Sequence, residues 1–210
     1  MNVSVQRIEQ LRSEVRARLS EKRFLHTLGV ERAAIRLGRG LMPDMLGEIT
    51  CAALLHDISK ELPIQDQIAM LINANLIPDI TSAPPDPVIH SYTAPLIIKR
   101  DFPDVATPNV LSAVKNHTVG APDMSVFDAI IYIADFVEET RTYSACIEVR
   151  DALFSGFEAA DAKERLNMLY WACLRATDHT IYTLQEKGKP IDPISFETKN
   201  SLAMKLLHQI

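Results

Sequence analysis

The chain has 210 residues, 47% of them apolar, and its 22 Lys and Arg face 27 Asp and Glu for a formal charge of −5. That length and composition predict one sizeable hydrophobic core, and the acidic balance excludes the electrostatic footprint of a duplex nucleic-acid binder, so an anionic ligand would need cations placed locally. The three widely spaced cysteines, Cys51, Cys146 and Cys173, exclude a disulfide framework and predict a reducing cytoplasm, while no window nears the roughly 20 apolar residues of a membrane span and the charged first twenty residues predict no export signal.

A helical period runs along nearly the whole length with only seven glycines, which predicts an all-α protein. Val5, Ile8, Leu11, Val15 and Leu19 make 4–19 an amphipathic first helix. A second, over 21–38, carries Phe24, Leu25, Leu28 and Ile35 with His26 in its first turns, and Gly38-Arg39-Gly40 is expected to stop it. Pro43 suits the first position of a third helix ending at His56-Asp57, two side chains about 100° apart around the axis. Residues 78–87 hold four of the twelve prolines and predict a loop, with Pro87 opening a helix that carries His90. Thr107-Pro108 reads as cap and first residue of a helix ending near His117, and Ser125 with Asp128 as a capping-box start to the core helix VFDAIIYIADFVEE. Amphipathic segments over about 146–154, 157–187 ending at Gly188, and 195–209 after Pro193 predict a packing layer. The expected organisation is one domain, 1–210, with a core over about 20–142 and a C-terminal helical layer over about 146–210.

Four of the six histidines and two aspartates stand out: His26, the pair His56-Asp57, His90, His117, and Asp135 on an otherwise apolar stretch. An ionised Asp135 among Ile130, Ile131, Ile133, Phe136 and Val137 needs a partner, because burying it uncompensated would cost several kcal/mol or force its protonation. Histidine with carboxylate suits Fe, Mn or Zn, and a carboxylate can bridge two ions. His26, His56, Asp57 and Asp135 can close one site, and Asp57, His90 and His117 a second, the chemistry of metal-activated water attacking phosphorus. His179 and His208, without matching carboxylates, are assigned to packing. No phosphate-binding Gly-x-x-x-x-Gly-Lys loop, Gly-x-Ser-x-Gly elbow or Cys-rich zinc pattern competes.

The cations that would assist such a site are Lys60, one turn past His56-Asp57, Arg23, and Arg141, six residues after Asp135. Thr118 could donate to a phosphate oxygen, Gly120 could allow close backbone approach, and Glu138 could orient a ligand histidine from behind.

The segments KRFLHTLGVERAA, AALLHDISKEL, VKNHTVGAPDMS and IIYIADFVEETR, in this order between Lys22 and Arg141, resemble the HD-superfamily phosphohydrolases, and within them the YqeK-like symmetrical diadenosine tetraphosphatases. The resemblance implies an HD-domain helical bundle with additional C-terminal helices. It implies two divalent metals, with iron the leading metal and manganese or another transition metal as alternatives. His26, His56, Asp57 and Asp135 would hold one, and His90 with His117 the second, bridged through Asp57. Asp57 and Lys60 would be catalytic, and Arg23, Lys60, Thr118, Gly120 and Arg141 would bind substrate. The implied substrate is a dinucleoside tetraphosphate, attacked by a metal-bridging hydroxide and cut to two ADP, with ADP or GDP as product-like ligand, no nucleic acid or membrane partner, and a homodimer left open. The chain departs from the family pattern after its third histidine, where a small Gly-rich stretch is usual and His90-Ser91-Tyr92-Thr93-Ala94-Pro95 stands. Two other functions fit the same ligands: hydrolysis of another nucleotide or phosphoester, and a metal- and nucleotide-binding sensor with little turnover.

Overall fold

The computed structural model describes residues 3–207, which form ten α-helices and two short 3-10 turns and contain no strand. The helices are α1 (Val5–Arg16), α2 (Glu21–Leu41), α3 (Leu46–Leu55), α4 (Ile64–Asn73), α5 (Asp86–Asp101), α6 (Pro108–Asn116), α7 (Val126–Val137), α8 (Ser144–Phe154), α9 (Ala162–Glu186) and α10 (Pro193–Leu207). The all-α expectation holds, and the chemistry of the helix starts explains much of it. Ser4, Ser20 and Thr107 each accept a backbone N–H three residues on, and Ser125 with Asp128 closes the capping box that fixes the start of α7.

α7 is the centre of the fold, packed against α2, α3, α6, α8 and α9. Its Ile130, Ile131 and Ile133 are fully buried, each contributing about 1.5–3 kcal/mol by leaving water, so the helix is fixed in rotation and depth. α2 and α3 pack closely on each other, which brings the turn after α3 against the first turns of α2 and the last turn of α7. α9 lies across α7, and α10 covers α9.

Several boundaries differ from the sequence reading. α2 runs through Gly38 and Gly40 to Leu41, because these glycines serve packing: a Cβ on Gly38 would meet Ile49 at 2.8 Å and one on Gly40 would meet Phe157 at 2.8 Å. Pro43 opens a 3-10 turn that leads into α3 rather than α3 itself. α1 ends at Arg16, and Val5, counted on its dry face, is 77% exposed while Leu11 and Val15 are fully buried. α4 was not anticipated, since buried Gln67 interrupts its apolar stripe; Thr93 donates to that side chain and Gln67 donates to the Leu62 carbonyl. α9 begins at Ala162, where Asp161 and Glu164 form a capping box, not at 157. His208 lies outside the described residues.

Candidate metal centre

α3 ends at Leu55, and residues 56–61 leave it through tight turns in which Ile58 donates to the Leu55 carbonyl and Lys60 to the Asp57 carbonyl. These turns aim His56 and Asp57 at the space between α2 and α7. His26 enters from the second turn of α2, Asp135 from the last turn of α7, His90 from the first turns of α5, and His117 from the end of α6. All six ligand candidates converge. His26, His56, Asp57, His90 and His117 are buried, and the Asp135 side chain is 22% exposed.

The two oxygens of Asp57 are divided between the two groups of histidines. Oδ2 lies 3.5 Å from His56 Nε2 and 3.8 Å from His26 Nε2, while Oδ1 lies 3.2 Å from His90 Nε2 and 3.6 Å from His117 Nε2. Asp135 Oδ1 is 3.0 Å from His26 Nε2. One potential ligand atom from each of His26, His56 and Asp135 falls within a 4.8 Å set, and so does one from each of His56, Asp57 and His117.

Proton positions favour the Nε2 atoms as ligands. His56 Nδ1 lies 2.7 Å from the Ala53 carbonyl and His117 Nδ1 2.6 Å from the Val114 carbonyl, so both rings donate there and leave Nε2 with a lone pair facing the centre. His26 Nδ1 lies 3.1 Å from Glu138 Oε1, the support expected of that residue. His56 Nε2 is buried without a hydrogen-bond partner, and His26 Nε2 faces the Asp135 and Asp57 carboxylates, an arrangement a cation would complete. The donor set therefore fits one or two divalent transition metals.

His90 is held differently. Lys60 Nζ lies 3.1 Å from its Nδ1 and 3.1 Å from the Pro87 carbonyl. An ammonium there would keep the His90 proton on Nε2, so ligation through Nε2 requires the proton on Nδ1 and a neutral Lys60, toward which burial lowers the lysine pKa. Lys60 is thus bonded to the back of His90, at the edge of the centre. The departure from the family pattern has a structural role here. Ser91 donates to the Val88 carbonyl, and Ser59 donates to the His90 carbonyl at 2.9 Å while its oxygen lies 2.9 Å from Thr93 Oγ1, tying α5 to the turn after Asp57.

The electrostatics favour charged carboxylates. Burial works to raise the Asp57 pKa, but the imidazoles around it, His56 foremost and then His117 and His90, hold it well below the usual carboxylate range. Burial opposes ionisation of Asp135 as well, and Arg141 and His26 overcome it. In the metal-free protein burial disfavours a charged His26, yet Asp135, Glu138 and Asp57 raise its pKa to about 9, whereas burial pushes His90 down to about 4. Arg23 Nη1 contacts Asp57 Oδ2 at 2.8 Å, and Arg141 Nη2 contacts Asp135 Oδ1 at 2.8 Å, so both expected arginines border the centre.

Thr118 Oγ1 lies 3.1 Å from His117 Nε2 and faces the centre as expected. Gly120 does not. Its φ of +79° and its missing side chain accommodate Thr198 of α10, and its N–H donates to the Asn116 carbonyl, so the glycine is required by packing rather than by phosphate approach.

Two clefts open from the centre. One of about 660 Å³ is lined by Ser20, Lys22, Arg23, His26, Thr140 and Arg141, among others. The other, of about 540 Å³, runs from His117, Thr118 and Asp135 to His179, Thr183 and Lys187 of the α9 region. Arg141 and Tyr143 border both. Tyr143, His179, Thr183 and Lys187 line this cleft without having been singled out for it in the sequence; the spacing 179, 183, 187 of polar side chains along one helix face was the available signal.

A model of the HD domain matches residues 23–139. The chain belongs to the HD-domain family. It is 27% identical over 90% of its length to the symmetrical bis(5'-nucleosyl)-tetraphosphatase of Bacillus subtilis (strain 168), covering 93% of that protein. A protein of the same name from Halalkalibacterium halodurans is 28% identical over 91% of this chain and 94% of its own. The crystal structure of a protein described as a predicted HD superfamily hydrolase involved in NAD metabolism from Clostridium acetobutylicum superposes with a TM-score of 0.74 at 28% identity, covering 94% of this chain and 97% of that one. With these likenesses the chain is an HD phosphohydrolase. α8, α9 and α10 lie beyond the matched HD segment, and no described helix is long and apolar enough to cross a membrane.

Proposed function

We propose that this HD phosphohydrolase cuts dinucleoside tetraphosphates symmetrically, diadenosine tetraphosphate giving two ADP. The observation that carries the reading is the division of Asp57 between two histidine groups, flanked by Arg23 and Arg141. Likeness to two symmetrical bis(5'-nucleosyl)-tetraphosphatases over about nine-tenths of the chain supports the substrate.

His26, His56, Asp57 and Asp135 would hold one metal, and Asp57, His90 and His117 a second, with iron proposed for both. Bound divalent ions would supply Lewis acidity and a water acidified to near neutral pH. The chain's own groups do the rest. His56 and His117, fixed by backbone carbonyls, and His26, backed by Glu138, keep their Nε2 atoms aimed into the centre on either side of Asp57. Arg23 and Arg141 are guanidinium forks suited to phosphate oxygens, and their place beside the carboxylates lets them oppose negative charge that develops on the phosphoryl and leaving-group oxygens. Thr118 adds a hydroxyl beside His117.

The test is anaerobic loading with Fe(II), incubation with diadenosine tetraphosphate, and separation of the nucleotides. ADP as sole product is expected. ATP plus AMP would overturn the point of attack, and no turnover by fully metallated protein would overturn the substrate.

A further inference from the structure

Residues 139–143, between α7 and α8, are exposed except for Arg141, so this stretch has little packing of its own to hold it. It follows directly on Glu138, which backs His26, and it carries Arg141, which borders the centre. One side chain of α8 reaches across to it. Arg150 Nη1 donates to the Glu138 carbonyl at 2.7 Å and lies 3.3 Å from both the Val137 and the Arg141 carbonyls, while its Nη2 lies 3.2 Å from the Arg141 carbonyl. These oxygens lie at the C-terminal end of α7 and in the turn leaving it, where a helix has no donors left of its own and a cation is favoured. The helix that carries Arg150 is anchored, since Val149 and Leu153 are fully buried and α8 packs on both α7 and α9.

The backbone of Arg141 is thereby fixed on both sides. Its N–H donates to the Glu138 carbonyl at 3.1 Å, an oxygen that Arg150 also holds, and its own carbonyl accepts from Arg150. From that fixed backbone the side chain turns back over α7, where Nε lies 3.2 Å from the Asp135 carbonyl and Nη2 lies 2.8 Å from Asp135 Oδ1. We infer that Arg150 is a positioning residue for the reaction: it pins the turn after α7 so that Arg141 stands beside Asp135, where its guanidinium meets a phosphate oxygen. This rests on the reading of Arg141 as a phosphate-binding group and adds what holds it in place. Arg150 acts through Arg141, since it lines a separate cleft of about 470 Å³ with Gly29, Arg36 and Phe154 rather than either cleft that opens from the centre. The residue type suits the task. A rigid planar fork with five donors clamps several carbonyls at once, whereas the point charge of a lysine on its flexible stem is a looser clamp.

The experiment is a double-mutant cycle on full-length protein loaded anaerobically with Fe(II), with pyrophosphate as the probe and calorimetry as the readout. The four proteins are wild type, Arg141→Ala, Arg150→Ala and the double variant. Arg150→Ala should weaken pyrophosphate by roughly tenfold, a usual size for residues that share a hydrogen-bond network. Metal stoichiometry should stay at the wild-type value, because Glu138 keeps its contacts with His26 and Thr140. In the Arg141→Ala background the same substitution should change pyrophosphate binding by less than about twofold, the result a merely structural role would not produce. Arg150→Lys, which keeps the charge without the fork, should recover part of the affinity, and it takes the place of Arg150→Ala in the cycle where the alanine variant does not fold. Losses that multiply in the double variant, wild-type pyrophosphate binding in Arg150→Ala, or loss of metal from the folded variant would overturn the role. So would a metal-loaded wild type that binds no pyrophosphate. Because the binding comparison needs no turnover, a protein that shows this coupling but leaves diadenosine tetraphosphate uncut would sink the proposed reaction and not the positioning role.

Discussion

Glu138→Ala is the perturbation that most sharply separates metal support from general stability. The side chain is fully buried at the end of α7, with Oε1 3.1 Å from His26 Nδ1 and 2.6 Å from Thr140 Oγ1, and Oε2 2.7 Å from the Thr140 N–H. Truncation removes the group that orients the His26 ring and raises its basicity as a ligand. Loss of such a partner behind a ligand histidine costs about 10- to 100-fold in metal affinity, or about 1.4–2.7 kcal/mol. Stability of the metal-free protein should also fall, since each hydrogen bond to a charged group contributes about 1.5–3 kcal/mol and a vacant space is left. The assay is competition for Fe(II) or Mn(II) against a chelator of known affinity, read beside the thermal midpoint without metal. Glu138→Gln is the control, because its amide oxygen can still accept from His26 Nδ1, and it should lose only a small part of the affinity. Wild-type metal affinity in a folded Glu138→Ala protein would remove Glu138 from any role behind His26.

Three further outcomes follow from the same geometry. Gly29 packs so closely on Glu138 that an added Cβ would overlap its carboxylate, so Gly29→Ala should displace Glu138, lower metal affinity in the same direction, and cost about 1–3 kcal/mol in chemical denaturation. Gly120→Ala should lower the thermal midpoint, through its positive φ and the clash with Thr198, while metal stoichiometry stays at the wild-type value; loss of metal would show that Gly120 does serve the centre. In the metal-free protein the His26 pKa is raised from 6.5 to about 9, so its protonated form contributes stability that is fully present below pH 6.5 and lost as pH rises through about 9, worth roughly 3 kcal/mol. Metal binding needs the neutral ring, so affinity should rise with pH up to about 9 as stability of the metal-free form falls, and His26→Ala should remove that part of the denaturation profile.

The candidate ligand set was legible because it is chemically extreme: a carboxylate such as Asp135 inside an apolar helix, and His56 directly beside Asp57 at the end of another, are costly to bury for packing alone. Helix starts were legible for a local reason, since Ser20, Thr107 and Ser125 act on N–H groups three residues away. What escaped depends on contacts distant in sequence. Gly38 looks like a helix stop until Ile49 is packed on it, and Gly120 looks like a phosphate turn until Thr198 fills its open side. Lys60 was placed on a helix face with His56, but α3 ends at Leu55, and the turns that follow carry its Nζ behind His90. His179 lies on an amphipathic helix whose period shows that one face is polar; only the packing of α9 over α7 shows that part of this face lines a cleft with His117 and Asp135.

The shared carboxylate is put to its sharpest test by the metal content of Asp57→Ala beside wild type, read by native mass spectrometry after anaerobic loading. Two ions per wild-type chain are expected, and both should be lost together in the variant, since Oδ2 serves one histidine group and Oδ1 the other. A folded Asp57→Ala protein that kept either ion at wild-type affinity would contradict a centre built around that one side chain.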